Sequence, residues 1–571
     1  MNDQESSAAP DVPAGVKGTP VVAGVAWAPA IWVHRPSPPP GFAPDVPQEG
    51  RDAEHDAFDD AAKAVSDSLM DRALQAQGDA ADVLMVASSL ATDRSFRKLV
   101  DEHIATGSPA IQAVAAATEE FVRRFEAAGG LMAERVTDLV DVRDRIIARL
   151  RGEPEPGLPH TDTPAVLLAD DLSPADTAGL DPELFIAIVT EGGGPTSHTS
   201  IIARQLGLPC IVAAAGLSGI PEGTHVLVDG GTGIIRTGVS EAVAAEAIRR
   251  DAERQAAVAS WKPPAQTSDG TRVELLANVP DAAVSRTAAE KGAEGIGLFR
   301  TEFLFLDAAM EPTIYQQEGA YADVLAAFPN GKVVVRTLDA GSDKPIAYVT
   351  PDDEPNPALG VRGLRTARQH PAVLERQLDA IAQAAHQNPG TDTWVMAPMV
   401  ATVAEARWFT DLVRSRAKGS GGMKAGIMIE IPAAAVLIDQ FMEVVDFVSL
   451  GTNDLAQYAM AADRTCPDVA ELTDPWQPAV LELIRMAAAG GQRAGKPVGV
   501  CGEAAADPLL ACVLLGMGVT SLSMSPSALA GVGAQVGQVS MDQCREAAEA
   551  VRGAASPHDA REAVRAIVRR S

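Results

Sequence analysis

Two spacings of apolar residues divide the chain. Between about residues 51 and 151 they recur every three or four positions, which gathers them on one face of a helix. Four such runs, Arg51–Gln77, Asp79–Thr106, Pro109–Ala128 and Leu131–Arg151, are punctuated by Gly78, Gly107 and the pair Gly129 and Gly130. Four helices with short turns predict a small bundle or paired hairpins. On either side the pattern changes to short apolar runs, VVAGVAWAPAIWV, AVLLAD, LFIAIVTEG, PCIVAAAG and HVLVDGGTGIIRTG. Runs of this length, rich in Val and Ile and bounded by Gly and Pro, predict strands. The helical block is therefore expected as an insert within a β/α domain.

From residue 265 onward, eight further strand-like segments alternate with helical stretches. They begin with RVELLANV (272–279), EGIGLFRTE (294–302), KVVVRTLDAG (332–341) and TWVMAPMV (393–400). AGIMIEIP (425–432), DFVSLGTND (446–454), PVGVCGEAA (497–505) and SLSMSP (521–526) complete the set. Alternation argues parallel pairing, and eight units over this length argue a (β/α)8 barrel. Asp307–Tyr321 and the 416–424 stretch are expected as loops. The whole reads as an α/β multidomain protein: a disordered lead over 1–17, a β/α domain over 18–50 and 152–240, a helical insert over 51–151, a linker helix over 241–264, and a barrel over 265–571.

Composition narrows the partners. Asp plus Glu number 76 against 47 for Lys plus Arg, a net charge of −29. Phosphate backbones attract basic surfaces, so no nucleic acid is expected. Five scattered cysteines without a CxxC pair argue against zinc and against a disulfide framework. The N-terminus is acidic rather than that of a signal peptide, and the apolar stretch Thr19–Val33 is too short to span a bilayer. No membrane partner is expected; the expectation is a soluble, cytoplasmic protein.

The segment EGGGPTSHTSIIARQLGLPCIV carries the first candidate chemistry. Three glycines allow backbone N–H groups to approach an anion, and the helix that follows presents unpaired donors and a partial positive charge. Together they form a phosphate cradle with the nucleophilic imidazole of His198 inside it, which points to a phosphorylated histidine. In a (β/α)8 barrel, chemistry sits at the C-terminal ends of the strands. Asn278, Arg300, Arg336, Glu430, Asn453, Asp454, Cys501, Ser523 and Ser525 all fall there. Unpaired buried charges cost several kcal/mol, so packing alone does not explain them. Arg300, Arg336 and Arg464 are fork donors for phosphate and carboxylate oxygens. Glu430 and Asp454 are hard oxygen ligands suited to Mg2+. Asn453 can donate to a phosphate oxygen, and Cys501 is a thiol placed for acid/base chemistry.

These segments resemble Enzyme I of the phosphoenolpyruvate-dependent sugar phosphotransferase system. GGGPTSHTS, GAEGIGLFRTEFLF, VVVRTLDAGSDK, NPALGVRGLR, GIMIEIPAAA, SLGTNDLAQY, VGVCGE and SLSMSPSAL match that family in order and approximate spacing over essentially residues 18–571. The resemblance implies Mg2+-dependent transfer of a phosphoryl group from phosphoenolpyruvate to His198, then to a histidine of the carrier protein HPr, the first step of sugar uptake. It implies that Arg300, Arg336, Asn453 and Arg464 bind the phosphate of phosphoenolpyruvate with Arg362 nearby. It also implies that Glu430 and Asp454 hold Mg2+, that Cys501 protonates the leaving enolate, that the helical insert docks HPr, and that the chain forms a homodimer through its barrel. Three places depart from the family: Pro195 stands where Arg is common, Ser342 replaces a Gly, and LMVASSLATDRSF lacks an acidic run.

Two rivals are weighed beside this. A dikinase or phosphoenolpyruvate synthase would need a nucleotide-binding domain of some 200 residues or more ahead of the phosphohistidine, and no Gly-rich nucleotide loop is visible there. A non-catalytic phosphoenolpyruvate sensor would not require the intact set of Arg, acid, Cys and His residues.

Overall fold

The computed structural model describes residues 15–33, 43–75, 79–128, 136–153, 155–172, 176, 180–194, 197–306, 308, 310–341, 345–346, 348–350, 354–417, 422–464 and 466–569. The expected disorder of 1–14, the Pro-rich tract up to residue 42, Pro195, Ser342 and the centre of the 416–424 loop fall outside them. The chain divides into two units, Met1–Glu253 and Arg254–Ser571.

The first unit holds an eight-stranded sheet. Its strands are β1 (Gly15–Lys17), β2 (Thr19–Val22), β3 (Val25–Trp32), β4 (Ala165–Ala169), β5 (Phe185–Thr190), β6 (Cys210–Val212), β7 (His225–Asp229) and β8 (Ile234–Thr237). Their order is β1-β8-β7-β3-β4-β5-β6-β2. The centre, β3 to β6, is parallel, and the flanking strands pair antiparallel. Apolar side chains cover both faces: Val166, Leu168 and Val189 pack on one, Leu167, Ile188 and Val212 on the other. One expectation is corrected here. Residues 15–17 are not part of a disordered lead but form β1, because their backbone groups pair with Ile234, Ile235 and Arg236 of β8.

Between β3 and β4 the chain leaves the sheet for five described helices: α1 (Arg51–Gln75), α2 (Asp79–Ala91), α3 (Arg94–Ala105), α4 (Ala110–Ala128) and α5 (Val136–Arg151). The expected single helix over Asp79–Thr106 is two. Asp93 adopts an extended conformation and its carboxylate accepts the Ser95 and Phe96 N–H groups at 2.8 and 2.9 Å, which starts a new helix. The insert has its own core, with Phe58, Val65, Leu69, Leu84, Val100 and Ile146 within it. It is tied to its host by Arg145 of α5, 1% exposed, which pairs with Asp141 at 2.7 Å and Asp176 at 3.3 Å. Helix α6 (His198–Leu206) follows β5, and α7 (Glu241–Ser260) is a helix within the 241–264 segment.

The second unit contains a closed, all-parallel eight-stranded barrel of β9 (Glu274–Val279), β10 (Gly295–Arg300), β11 (Lys332–Arg336), β12 (Asp392–Ala397), β13 (Lys424–Ile429), β14 (Phe447–Leu450), β15 (Val498–Val500) and β16 (Ser521–Met524). Hydrogen bonding between β16 and β9 completes the ring. Each strand coincides with one of the eight apolar runs. The stretch expected as a loop over Asp307–Tyr321 contains the start of a helix, Ile314–Ala326. Thr313 and Gln316 cap it reciprocally, and Tyr321, Val324 and Leu325 bury one face.

Candidate active site

His198 opens α6. Ser197 caps that helix with its hydroxyl on the Ser200 N–H at 3.3 Å, and Gly207, at φ 68°, ends it in the left-handed conformation that glycine favours. The glycine run before it is pinned at several points. Gly193 takes φ 78°, the Thr190 hydroxyl donates to the Gly192 carbonyl at 2.8 Å, and the Ser200 hydroxyl donates to the Gly194 carbonyl at 2.7 Å. Glu191 accepts the Gly216 and Ser218 N–H groups, each at 3.2 Å. A glycine loop feeding a helix N-terminus is thus present at His198.

In the second unit the strand ends converge on one cleft. Arg300 from β10, Arg336 from β11, Asn453 and Asp454 from the helix Thr452–Met460, Arg464 beyond it and Cys501 after β15 all line it. Arg300 and Arg464 are exposed, whereas Arg336, Asp454 and Cys501 are buried. An adjoining cleft is bordered by Asn278, Ser525, Arg300, Asn453 and Cys501. Asn453 is oriented by the Glu503 N–H, which donates to its Oδ1 at 2.9 Å. Among the described residues, that is the hydrogen bond its side chain makes.

Glu430 and Arg362 do not line the cleft; they lie buried beneath it. Arg362 is 1% exposed and donates to both Asp339 oxygens at 3.2 Å and to Asp454 Oδ1 at 3.0 Å. Arg336 donates to Glu302 and stands 3.2 Å from Asp339. Burial works against the Arg336 charge, but Glu302 and Asp339 outweigh it and hold the guanidinium protonated well above its ordinary range. Glu302 and Asp339 were not singled out from the sequence. Each follows a chosen arginine by two or three residues, and that proximity at a strand end was the available signal.

Glu430 accepts the N–H of Met399, a residue held at φ 59°. That left-handed backbone is costly for a side chain without special reason. Its other oxygen, Oε2, is buried without a hydrogen-bond partner among the described residues. Burial, with Asp454 and Asp339 nearby, pushes the Glu430 carboxyl up to about 8 despite the pull of Arg336. A buried carboxylate with a free oxygen beside a second carboxylate fits the protein side of a hard divalent cation. Among the described residues, no three His, Cys, Asp or Glu side chains form a complete cage. Mg2+ does not require one, since it keeps waters and takes substrate oxygens.

Cys501 is 3% exposed, and burial pushes its thiol up to about 11, against the lowering influence of the Ser449 hydroxyl and of Arg336. The sulfur therefore carries its proton at neutral pH. The Cys501 carbonyl accepts Asn278 Nδ2 at 3.0 Å, and Asn278 Oδ1 accepts the Ser523 hydroxyl at 2.6 Å. The cleft thus combines fork donors and a proton-bearing thiol, with the acidic pair of Asp454 at its wall and Glu430 buried beyond it.

The chain matches three family models: "PEP-utilising enzyme, N-terminal" over residues 17–135, "PEP-utilising enzyme, mobile domain" over 161–233, and "PEP-utilising enzyme, PEP-binding domain" over 254–541. It is similar to the phosphoenolpyruvate-protein phosphotransferase of Streptomyces coelicolor, with 50% identity covering 92% of this chain and 94% of that one. The protein of the same name from Haloferax volcanii is 41% identical, covering 86% and 89%, and that from Bacillus subtilis 34%, covering 88% and 90%.

Proposed function

The chain belongs to the phosphoenolpyruvate-protein phosphotransferases, and on that premise we propose a residue-level course for its reaction. Phosphoenolpyruvate binds at the barrel mouth. Arg300, Arg336, Arg464 and Asn453 hold its phosphate and carboxylate oxygens. Arg362 acts from beneath by fixing Asp339 and Asp454. Glu430 and Asp454 hold Mg2+, which when bound supplies positive charge against the phosphoryl oxygens. The imidazole of His198 attacks phosphorus in line as the enolate leaves. Little covalent work falls to the protein in such a transfer, so these residues contribute positioning and charge stabilisation. Cys501 gives its proton to the methylene carbon of the enolate, which becomes pyruvate.

His198 then passes its phosphoryl group to a histidine on the small carrier protein HPr, docked on the helical insert over 51–151, as the first step of sugar uptake. His198 belongs to the first unit and the cleft to the second, so the histidine must visit two sites in each cycle. Movement of the β/α domain (18–50 and 152–240) about its linkers, the 241–264 segment among them, meets that demand. The protein acts as a homodimer through its barrel.

The single observation carrying this reading is the convergence of Arg300, Arg336, Arg464, Asn453, Asp454 and a protonated Cys501 on one cleft. Incubation with radiolabelled phosphoenolpyruvate and Mg2+ tests it. Acid-labile, base-stable label is expected on the wild type and not on His198→Ala. No label on either protein would overturn the reading.

A further inference from the structure

Strand β15 ends at Val500, so the sheet hydrogen bonding that would fix Cys501 stops one residue short of it. The residue is nevertheless held on both sides. Toward β14, its N–H and its thiol both donate to the Leu450 carbonyl, at 3.0 and 3.6 Å. Toward β16, the ladder ends with Val500 against Leu522. There the Cys501 carbonyl accepts a side chain instead, Nδ2 of Asn278 at 3.0 Å. Asn278 comes from the end of β9, the strand beyond β16 in the ring and 223 residues away in sequence. A buried backbone group without a partner is costly, and this one is met by a side chain aimed from two strands away.

That side chain is itself secured. The Cys501 carbonyl can only accept, so Nδ2 must face it. The amide oxygen that remains accepts the Ser523 hydroxyl of β16 at 2.6 Å, which keeps the amide from turning. Room for the hydroxyl comes from β10. A methyl group at Gly297 would stand 2.4 Å from Ser523 Cβ and 2.5 Å from its Oγ, so a larger residue there would displace it. After the cysteine, a methyl group at Gly502 would stand 2.0 Å from Thr452 Oγ1, so the glycine lets the chain pass close against that residue. Ser523 is 2% exposed and borders neither of the two clefts, whereas Asn278 and Cys501 share one of them. The series Gly297, Ser523, Asn278 therefore ends on the backbone of the residue that carries the proton.

We propose that Asn278, secured by Ser523, is a positioning residue for Cys501 and holds the thiol where it can reach the methylene carbon of the enolate. The proposal rests on the role given to Cys501 above. Transfer of a proton to carbon needs its donor held at contact distance, about 3–3.5 Å, and a displacement of about 1 Å can cost about 100-fold. In the step, the Cys501 S–H bond breaks as a C–H bond forms, leaving a thiolate. That thiolate takes a proton from solvent in the cleft that Cys501 borders. One solvent proton thus enters the methyl group of pyruvate, and no electrons are gained or lost. Asn278 acts on the backbone of Cys501, and Ser523 acts through Asn278.

Asn278→Ala and Ser523→Ala test this, with Mg2+ and a phosphoryl acceptor present. The second variant removes one buried hydroxyl and touches neither the thiol nor the cleft. Steady pyruvate formation, followed with lactate dehydrogenase, is expected to fall about tenfold in both. The KM for phosphoenolpyruvate, and the initial rate at which radiolabelled phosphoenolpyruvate labels His198, are expected to stay within about twofold, because the clamp serves only the later step. In a Cys501→Ala background the same substitutions should change the residual rate by less than about twofold, since a residue that acts through the thiol has nothing left to act on. Wild-type turnover in both single variants would overturn the proposal. So would a loss of labelling that matches the loss of pyruvate, or a loss carried by KM, since Asn278 would then serve substrate binding or general packing. A further tenfold loss in the Cys501→Ala background would overturn it as well. Wild-type pyruvate formation by Cys501→Ala alone would instead overturn the role given to Cys501.

Discussion

A carboxyl buried as Glu430 is sets stability against chemistry. Its folded value of about 8 lies above the ordinary 4.5, with burial as the main cause and Asp454 and Asp339 adding to it. The folded state therefore holds the proton more tightly than the unfolded state. The associated stability is fully present below about 4.5 and is lost as pH rises through about 8. Glu430→Gln keeps an acceptor for the Met399 N–H and removes that loss. In chelator at pH 8 the variant is expected to be more stable than wild type by roughly 1–3 kcal/mol, with the difference vanishing near pH 4.5. Differential scanning calorimetry across that range checks the sign. Mg2+ should raise the melting temperature of the wild type and not of the variant, and pyruvate formation by the variant should be lost. Cys501 gives a second prediction at this scale. Cys501→Ala leaves the arginines and Asn453 of the cleft in place but removes the proposed proton donor. Pyruvate production should fall by about 100-fold or more with little change in KM, measured by coupled assay. Glu302 and Asp339 show the limit of reading single residues in sequence. Their importance arises from which buried arginine each faces: Glu302 meets Arg336 only once β10 and β11 lie side by side, and Asp339 meets Arg362 only once the chain beyond β11 folds back on it.

At the scale of elements, regular periodicity was legible and local interruptions were not. All eight barrel strands coincide with apolar runs because each is buried on both faces, so composition alone marks them. The helical insert was legible for the complementary reason, a stripe of apolar residues on each helix. The break at Asp93 escaped because a cap is a single side chain, and the apolar spacing runs straight through it. Replacing that acid tests the account. Asp93→Ala leaves the Ser95 and Phe96 N–H groups uncapped and is expected to cost about 1 kcal/mol. The cost should appear as faster amide hydrogen exchange confined to the start of α3. The helix Ile314–Ala326 was missed because a Pro- and acid-containing approach masks it, although Thr313 and Gln316 form a capping pair three residues apart. Strand β1 was missed because three residues carry no periodicity, and its partner β8 lies more than 200 positions away in sequence.

For the whole molecule, each unit buries its own core, and helix α7 (Glu241–Ser260) is the stretch of chain that crosses the boundary between them. Residues 254–571 expressed alone are therefore expected to unfold cooperatively and to bind phosphoenolpyruvate in calorimetric titration. They should make no pyruvate until residues 1–253 are supplied, because the proposed phosphoryl acceptor, His198, is on the other piece. Pyruvate formation by the barrel alone would show that His198 is not the acceptor.

The pairing of β1 with β8, and of β2 with β6, also orders events while the chain is being made. The N-terminal strands leave the ribosome first, yet their partners emerge only when synthesis has passed residues 212 and 237. The insert needs no such wait, since its helices contact one another and share a core complete by residue 147. A helical body thus forms on the nascent chain while β1 and β2 remain unpaired edge segments. At synthesis rates of about 5–20 residues per second, that interval lasts some seconds. The short length of both strands, and the Pro20 in the second, blunt them against pairing with a neighbouring nascent chain.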